Sequence, residues 1–101
     1  MYLKVYRIDG VDRLLAACDR ELINQKFTEG DLELDISDKF YGTELSDRDE
    51  LIRALKKVSM ANLAGERVIS IAIEAGIIDA DACIRIGGVP HIQISSSRRG
   101  I

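Results

Sequence analysis

Two cysteines and one histidine, Cys18, Cys83 and His91, are the soft metal ligands of this chain. A tetrahedral zinc site would need all three plus a carboxylate, because there is neither a CxxC pair nor a second histidine, and the expected metal set is therefore none. Both cysteines stand in apolar, strand-like patterns and read as buried thiols. A bridge between them is the alternative for a hyperthermophilic source. Nucleophilic catalysis needs a base beside the nucleophile, and His91 is the only imidazole. It follows Pro90 at the start of a strand-like run, where the plain reading is a ring held by the backbone. The sharper reading is a histidine in a convergent polar site with Asn62, Glu66 or Arg67. Gly87-Gly88 would let backbone amides approach a phosphate, but a strand follows instead of a helix start, and neither the P-loop nor the dinucleotide pattern is present. Between strands such a pair is turn chemistry. No catalytic residue and no cofactor is assigned. Asn62, Glu66, Arg67, Arg85, Gly87, Gly88 and His91 are the candidate binding residues.

Residues 59–91 must position these groups. From 59 to 75 the polar positions Ser59, Asn62, Glu66, Ser70 and Glu74 recur every three or four residues, and apolar residues cover the rest of the circumference. That spacing predicts a largely buried helix over about 60–75. Gly65 inside it calls for a packing reason, such as another backbone coming close. Gly76 reads as a left-handed C-terminal stop, with Ile77 folding back onto the last turn. Before it, Ser46 can cap a helix over about 47–57, with Asp49 three residues on, a buried stripe of Leu51, Ile52, Leu55 and Val58, and Lys56 and Lys57 at its negative end. Residues 2–8 and 13–18 alternate on either side of Asp9-Gly10 and predict an N-terminal hairpin. Asp19 can cap a short helical turn through Leu22 and Ile23, with Phe27 as a core anchor. A third strand is expected at 31–36, apolar on one face and acidic on the other. Residues 82–86 and 91–95 read as a C-terminal pair of short strands around the Gly87-Gly88-Val89-Pro90 loop, and residues 96–101 as a frayed tail.

A length of 101 residues, 47% apolar and 31% charged with one proline, fits a single mixed α/β domain of α+β type. The first ten residues read as a strand and not as a signal peptide, and charges interrupt every apolar run, so a cytoplasmic location without a membrane span is expected. Net charge is −3, which argues against a general basic surface, and no DNA partner is expected. The charge is uneven. Residues 28–50 hold nine acids against Lys39 and Arg48, a local net of −7 that leaves +4 on the remainder. Three of those acids, Asp31, Glu33 and Asp35, share one strand face and lack the loop spacing of a calcium site.

Cys18-Asp19 with Leu22, Phe40-Tyr41-Gly42, Ala61-Asn62-Leu63 with Gly65-Glu66, and Ile86-Gly87-Gly88-Val89-Pro90-His91 together resemble the archaeal domain-of-unknown-function family 424. The resemblance runs over nearly the whole chain. Asn24 stands where glycine is expected, and asparagine tolerates the left-handed backbone well. The resemblance implies an archaeal, cytoplasmic source and no reaction. The reading that follows is a non-enzymatic binding protein of an RNA-protein machine such as the translation apparatus. It would use basic residues near the chain ends, Asn62, Arg67 and the 87–91 loop, although RNA-recognition aromatics are few. The alternative is a small enzyme or ligand-binding domain with its site between that loop and the central helix. A homo-oligomer built on an edge strand or the Leu51 helix is a third reading, compatible with either.

Overall fold

The hairpin around Asp9-Gly10 opens the fold. β1 (Tyr2–Ile8) pairs antiparallel with β2 (Val11–Cys18) through a turn in which Asp9 (φ 55°) and Gly10 (φ 76°) both take the left-handed backbone that a two-residue hairpin demands. A computed structural model describes residues 1–95 of this chain, so the tail expected at 96–101 lies outside the described residues. After a short 3-10 turn at Arg20–Leu22 come β3 (Gln25–Glu29) and β4 (Leu32–Ile36), a second hairpin. α1 (Asp38–Tyr41), α2 (Arg48–Lys57), β5 (Met60–Ala64), α3 (Glu66–Glu74), β6 (Ile84–Ile86) and β7 (Val89–Ser95) follow. Five strands form the main sheet in the order β1-β2-β5-β7-β6; β2 and β5 run parallel and the other neighbours antiparallel.

The sheet is covered on both faces, which explains why Leu15, Ala16, Ala17 and Cys18 are consecutive and fully buried. On one face α2 and α3 pack Leu51, Leu55, Val68, Ile69 and Ala72 against Leu15, Ala17, Ala61, Leu63 and Ile92. On the other, Leu34 and Ile36 of the β3–β4 hairpin and Tyr41 of α1 cover Ala16, Cys18, Ala64, Ile86 and Val89. Tyr6 stacks on Phe40 at 5.6 Å, and its hydroxyl donates to the Phe40 carbonyl at 2.7 Å.

The mixed α/β class holds, and several details shift. The expected helix over about 60–75 divides: residues 60–64 form the central strand β5, and only Glu66–Glu74 is helical. Met, Ala and Leu favour helix by propensity, but pairing on both sides with β2 and β7 overrides that preference. Asn62 therefore leaves the polar stripe, which continues along α3 as the exposed Glu66, Ser70 and Glu74. α3 ends as expected: the Gly76 N–H donates to the Ile73 carbonyl and the Ile77 N–H to that of Ala72. The cap of α2 lies one residue later than expected. Asp47 accepts from the Glu50 N–H at 2.9 Å, and the Glu50 carboxylate accepts from the Asp47 N–H at 3.2 Å. The strand at 31–36 is not solitary, because β3, with Phe27 as its one apolar residue, pairs with it. Finally, residues 89–91 belong to β7, so the expected 87–91 loop contracts to a Gly87-Gly88 turn.

Candidate functional site

Five of the seven candidate residues meet at the end of the sheet where the parallel strands β2 and β5 both terminate. The chain leaves β5 through Gly65 (φ 107°) and enters α3. Asp19, the residue after β2, is 4% exposed. One of its carboxylate oxygens accepts from the Arg67 N–H (3.0 Å) and the other from the Val68 N–H (2.9 Å). It thus caps α3 from 48 residues away in the chain and makes no side-chain bond to the 3-10 turn it was expected to cap. A side chain on Gly65 would have its Cβ 2.6 Å from Asp19 Oδ2, so the close approach anticipated at this glycine is a carboxylate and not a backbone. Asp19 was missed as a site residue. Its traces in the sequence are the glycine within an apolar, helix-like run and its own place beside Cys18 in the family resemblance.

Around this buried cap lies a notch of about 300 Å³, lined by Asp19, Glu21, Leu22, Gly65, Glu66, Arg67, Gly88, Val89 and Pro90. Arg85 reaches its rim and donates to Glu66 through Nη1 at 2.8 Å and Nη2 at 3.4 Å, and to the Gly88 carbonyl at 2.9 Å. That guanidinium holds the Glu66 carboxyl below the usual carboxylate range and is itself raised in turn. Arg67 Nη1 stands 3.5 Å from Glu21 Oε1, both side chains more than half exposed. Gly87 lies beside the notch, its N–H donating to the Glu29 carboxylate at 2.9 Å.

Asn62 and His91 stand elsewhere. Strand register places them on the sheet face that carries Leu14, Met60, Gln93 and Ser95: Asn62 lies opposite Ala16 on one side and Gln93 on the other, and His91 opposite Ala64 and Ile84. The β3–β4 hairpin and α1 cover only part of this face, and against the open remainder lies a depression of about 430 Å³. Burial lowers the His91 pKa below its ordinary value of 6.5, so the ring is neutral at pH 7. Glu66 and Arg67 bond to Arg85 and Glu21, not to His91. The convergence of His91, Asn62, Glu66 and Arg67 in one site is thus not formed, and two separate places take its members.

Cys18 and Cys83 are both free and pack into the clusters on opposite faces of the sheet. Neither a bridge nor a zinc set containing both can form without refolding. Among the described residues no group of three or more His, Cys, Asp and Glu could hold a metal ion, and no helix is long and apolar enough to cross a membrane.

Compared with protein families, residues 6–96 match the family described as "Protein of unknown function (DUF424)". Among solved structures the chain is similar to an uncharacterized conserved protein from the archaeon Methanopyrus kandleri, at 28% sequence identity and a TM-score of 0.71, covering 92% of this chain and 88% of that one. No curated protein matches the chain.

Proposed function

The chain belongs to the DUF424 family of proteins of unknown function, and from that premise we propose that it is a non-enzymatic, cytoplasmic binding protein of an RNA-protein machine such as the translation apparatus. Its contact is single-stranded RNA, taken on the open half of the five-stranded sheet. One observation carries this reading. On that face the strand residues Tyr2, Lys4, Tyr6, Leu14, Met60, Asn62, Ile84, His91, Gln93 and Ser95 include no carboxylate, in a chain where acids outnumber bases 17 to 14. Asn62 and Gln93 stand side by side and offer the donors and acceptors that base edges require. Met60, 38% exposed, supplies an apolar surface for a base to lie against, and the neutral His91 ring a plane on which one can stack. Lys4 is the nearby cation, so phosphate attraction contributes little and base contacts contribute more.

Fluorescence anisotropy with a labelled single-stranded RNA tests this. Asn62→Ala and Gln93→Ala should each weaken binding by roughly five- to tenfold, the loss of one or two hydrogen bonds. The salt slope should be shallow, about −0.7 for each phosphate neutralised. Failure to bind RNA, or binding indifferent to both substitutions, overturns the reading. Partners captured from lysate that survive ribonuclease would put a protein in the place of RNA.

A further inference from the structure

We infer that the notch between the start of α3 and the Gly87-Gly88 turn is a binding site for a small zwitterion with an apolar body, a free aliphatic α-amino acid. The inference is independent of the RNA reading and concerns a different end of the sheet. Its first support is what the site excludes. A helix start beyond the carboxyl ends of two parallel strands is ordinarily a place for phosphate. Here the Arg67 and Val68 N–H groups are already taken by Asp19, and with Glu21 and Glu66 at the rim a phosphate would meet three carboxylates against the two guanidinia of Arg67 and Arg85.

The second support is what the site offers. Arg67–Glu21 and Arg85–Glu66 are two exposed pairs of opposite charge, and Glu66, Arg67 and Glu21 all line the same notch. Exposed pairs of this kind are held weakly and exchange partners at little cost. A ligand carrying an ammonium and a carboxylate can insert so that the carboxylate meets a guanidinium and the ammonium a glutamate, and no charge is left unmet. A purely cationic or purely anionic ligand cannot. Leu22, Val89 and Pro90 supply an apolar wall for the side chain. The volume of about 300 Å³ lies at the small end of ligand sites, roughly 300–1,000 Å³, and suits one amino acid better than a nucleotide. At Gly88 the backbone borders open space, since a Cβ built there would meet nothing within 4 Å.

The test is an NMR titration of the whole chain, uniformly labelled with nitrogen-15, using L-leucine and its two blocked forms, N-acetyl-L-leucine and L-leucinamide. L-leucine should shift the amides of Gly65, Arg67 and Gly88 saturably, and each blocked form, lacking one charge, should bind at least about tenfold more weakly. Arg67→Gln should weaken leucine binding while leaving the rest of the spectrum in place, and Asn62→Ala should leave it unchanged. No saturable shift at the notch overturns the inference. So does equal binding of the blocked forms, or indifference to Arg67→Gln in a folded variant.

Discussion

Held at φ 107° with the Asp19 carboxylate where its Cβ would lie, Gly65 admits no side chain. Gly65→Ala combines an unfavourable backbone with a collision against a buried charge, and urea unfolding should show a loss of about 2–5 kcal/mol. A loss under 1 kcal/mol would mean that the carboxylate is not lodged there. The two thiols make a second residue-scale contrast. Burial, reinforced by the neighbouring Asp19 charge, pushes the Cys18 thiol up to about 12, and the residue is wholly inaccessible. Cys83 is only half-buried, and burial raises its thiol while the Arg85 charge nearby opposes the rise. A disulfide reagent at pH 8 should titrate Cys83 in the native protein and reach Cys18 only after denaturation. Prompt modification of both would contradict this arrangement. His91 was visible in the sequence as a lone imidazole, but its neighbours were not, because strand pairing and not chain proximity puts it beside Ala64 and Ile84.

Elements were legible in proportion to how much of their order is local. α2 has an acidic first turn, a basic last turn and a regular apolar stripe, and it was expected within a residue of its observed bounds. Its reciprocal cap is worth about 1 kcal/mol, so Asp47→Ala should lower stability by that amount in thermal or urea unfolding, with Ser46→Ala close to neutral. The reverse ranking would restore Ser46 as the cap. The C-terminal stop of α3 and the Asp9-Gly10 turn were equally local, each signalled by a glycine that the backbone geometry requires. β5 was not. In its Met-Ala-Asn-Leu-Ala sequence Ala61, Leu63 and Ala64 are buried while Met60 and Asn62 look onto the open half-face, and a short, mostly apolar run of that kind reads the same as a turn of buried helix. β3 failed for the opposite reason: four of its five residues are exposed, and β4 alone holds it as a strand.

At the scale of the molecule, one layer of strands lies between two helices on one side and a hairpin with a short helix on the other, within a radius of gyration of 13.0 Å that is ordinary for about 100 residues. The cover on the second side is too small for the sheet. That shortfall creates the open half-face, and the way β2 and β5 end together creates the notch. Neither place corresponds to a contiguous stretch of chain. The first draws on β1, β2, β5 and β7, and the second on the ends of β2 and β5, the turn from β6 into the start of β7, and the start of α3.

By itself the sequence determined the mixed α/β class, the first hairpin, α2 and the stop at Gly76, because propensity, caps, turn glycines and apolar period all act over a few residues; the family showed instead through its resemblance in four motifs spread along the chain. Only the tertiary structure decided that residues 60–64 are a strand, that Asp19 caps a helix 48 residues away, and that Asn62 and His91 lie apart from Glu66, Arg67 and Arg85. These outcomes depend on which strands pair. Pairing is selected by the free energy of burying the whole sheet on both faces, a quantity that no local window of sequence contains.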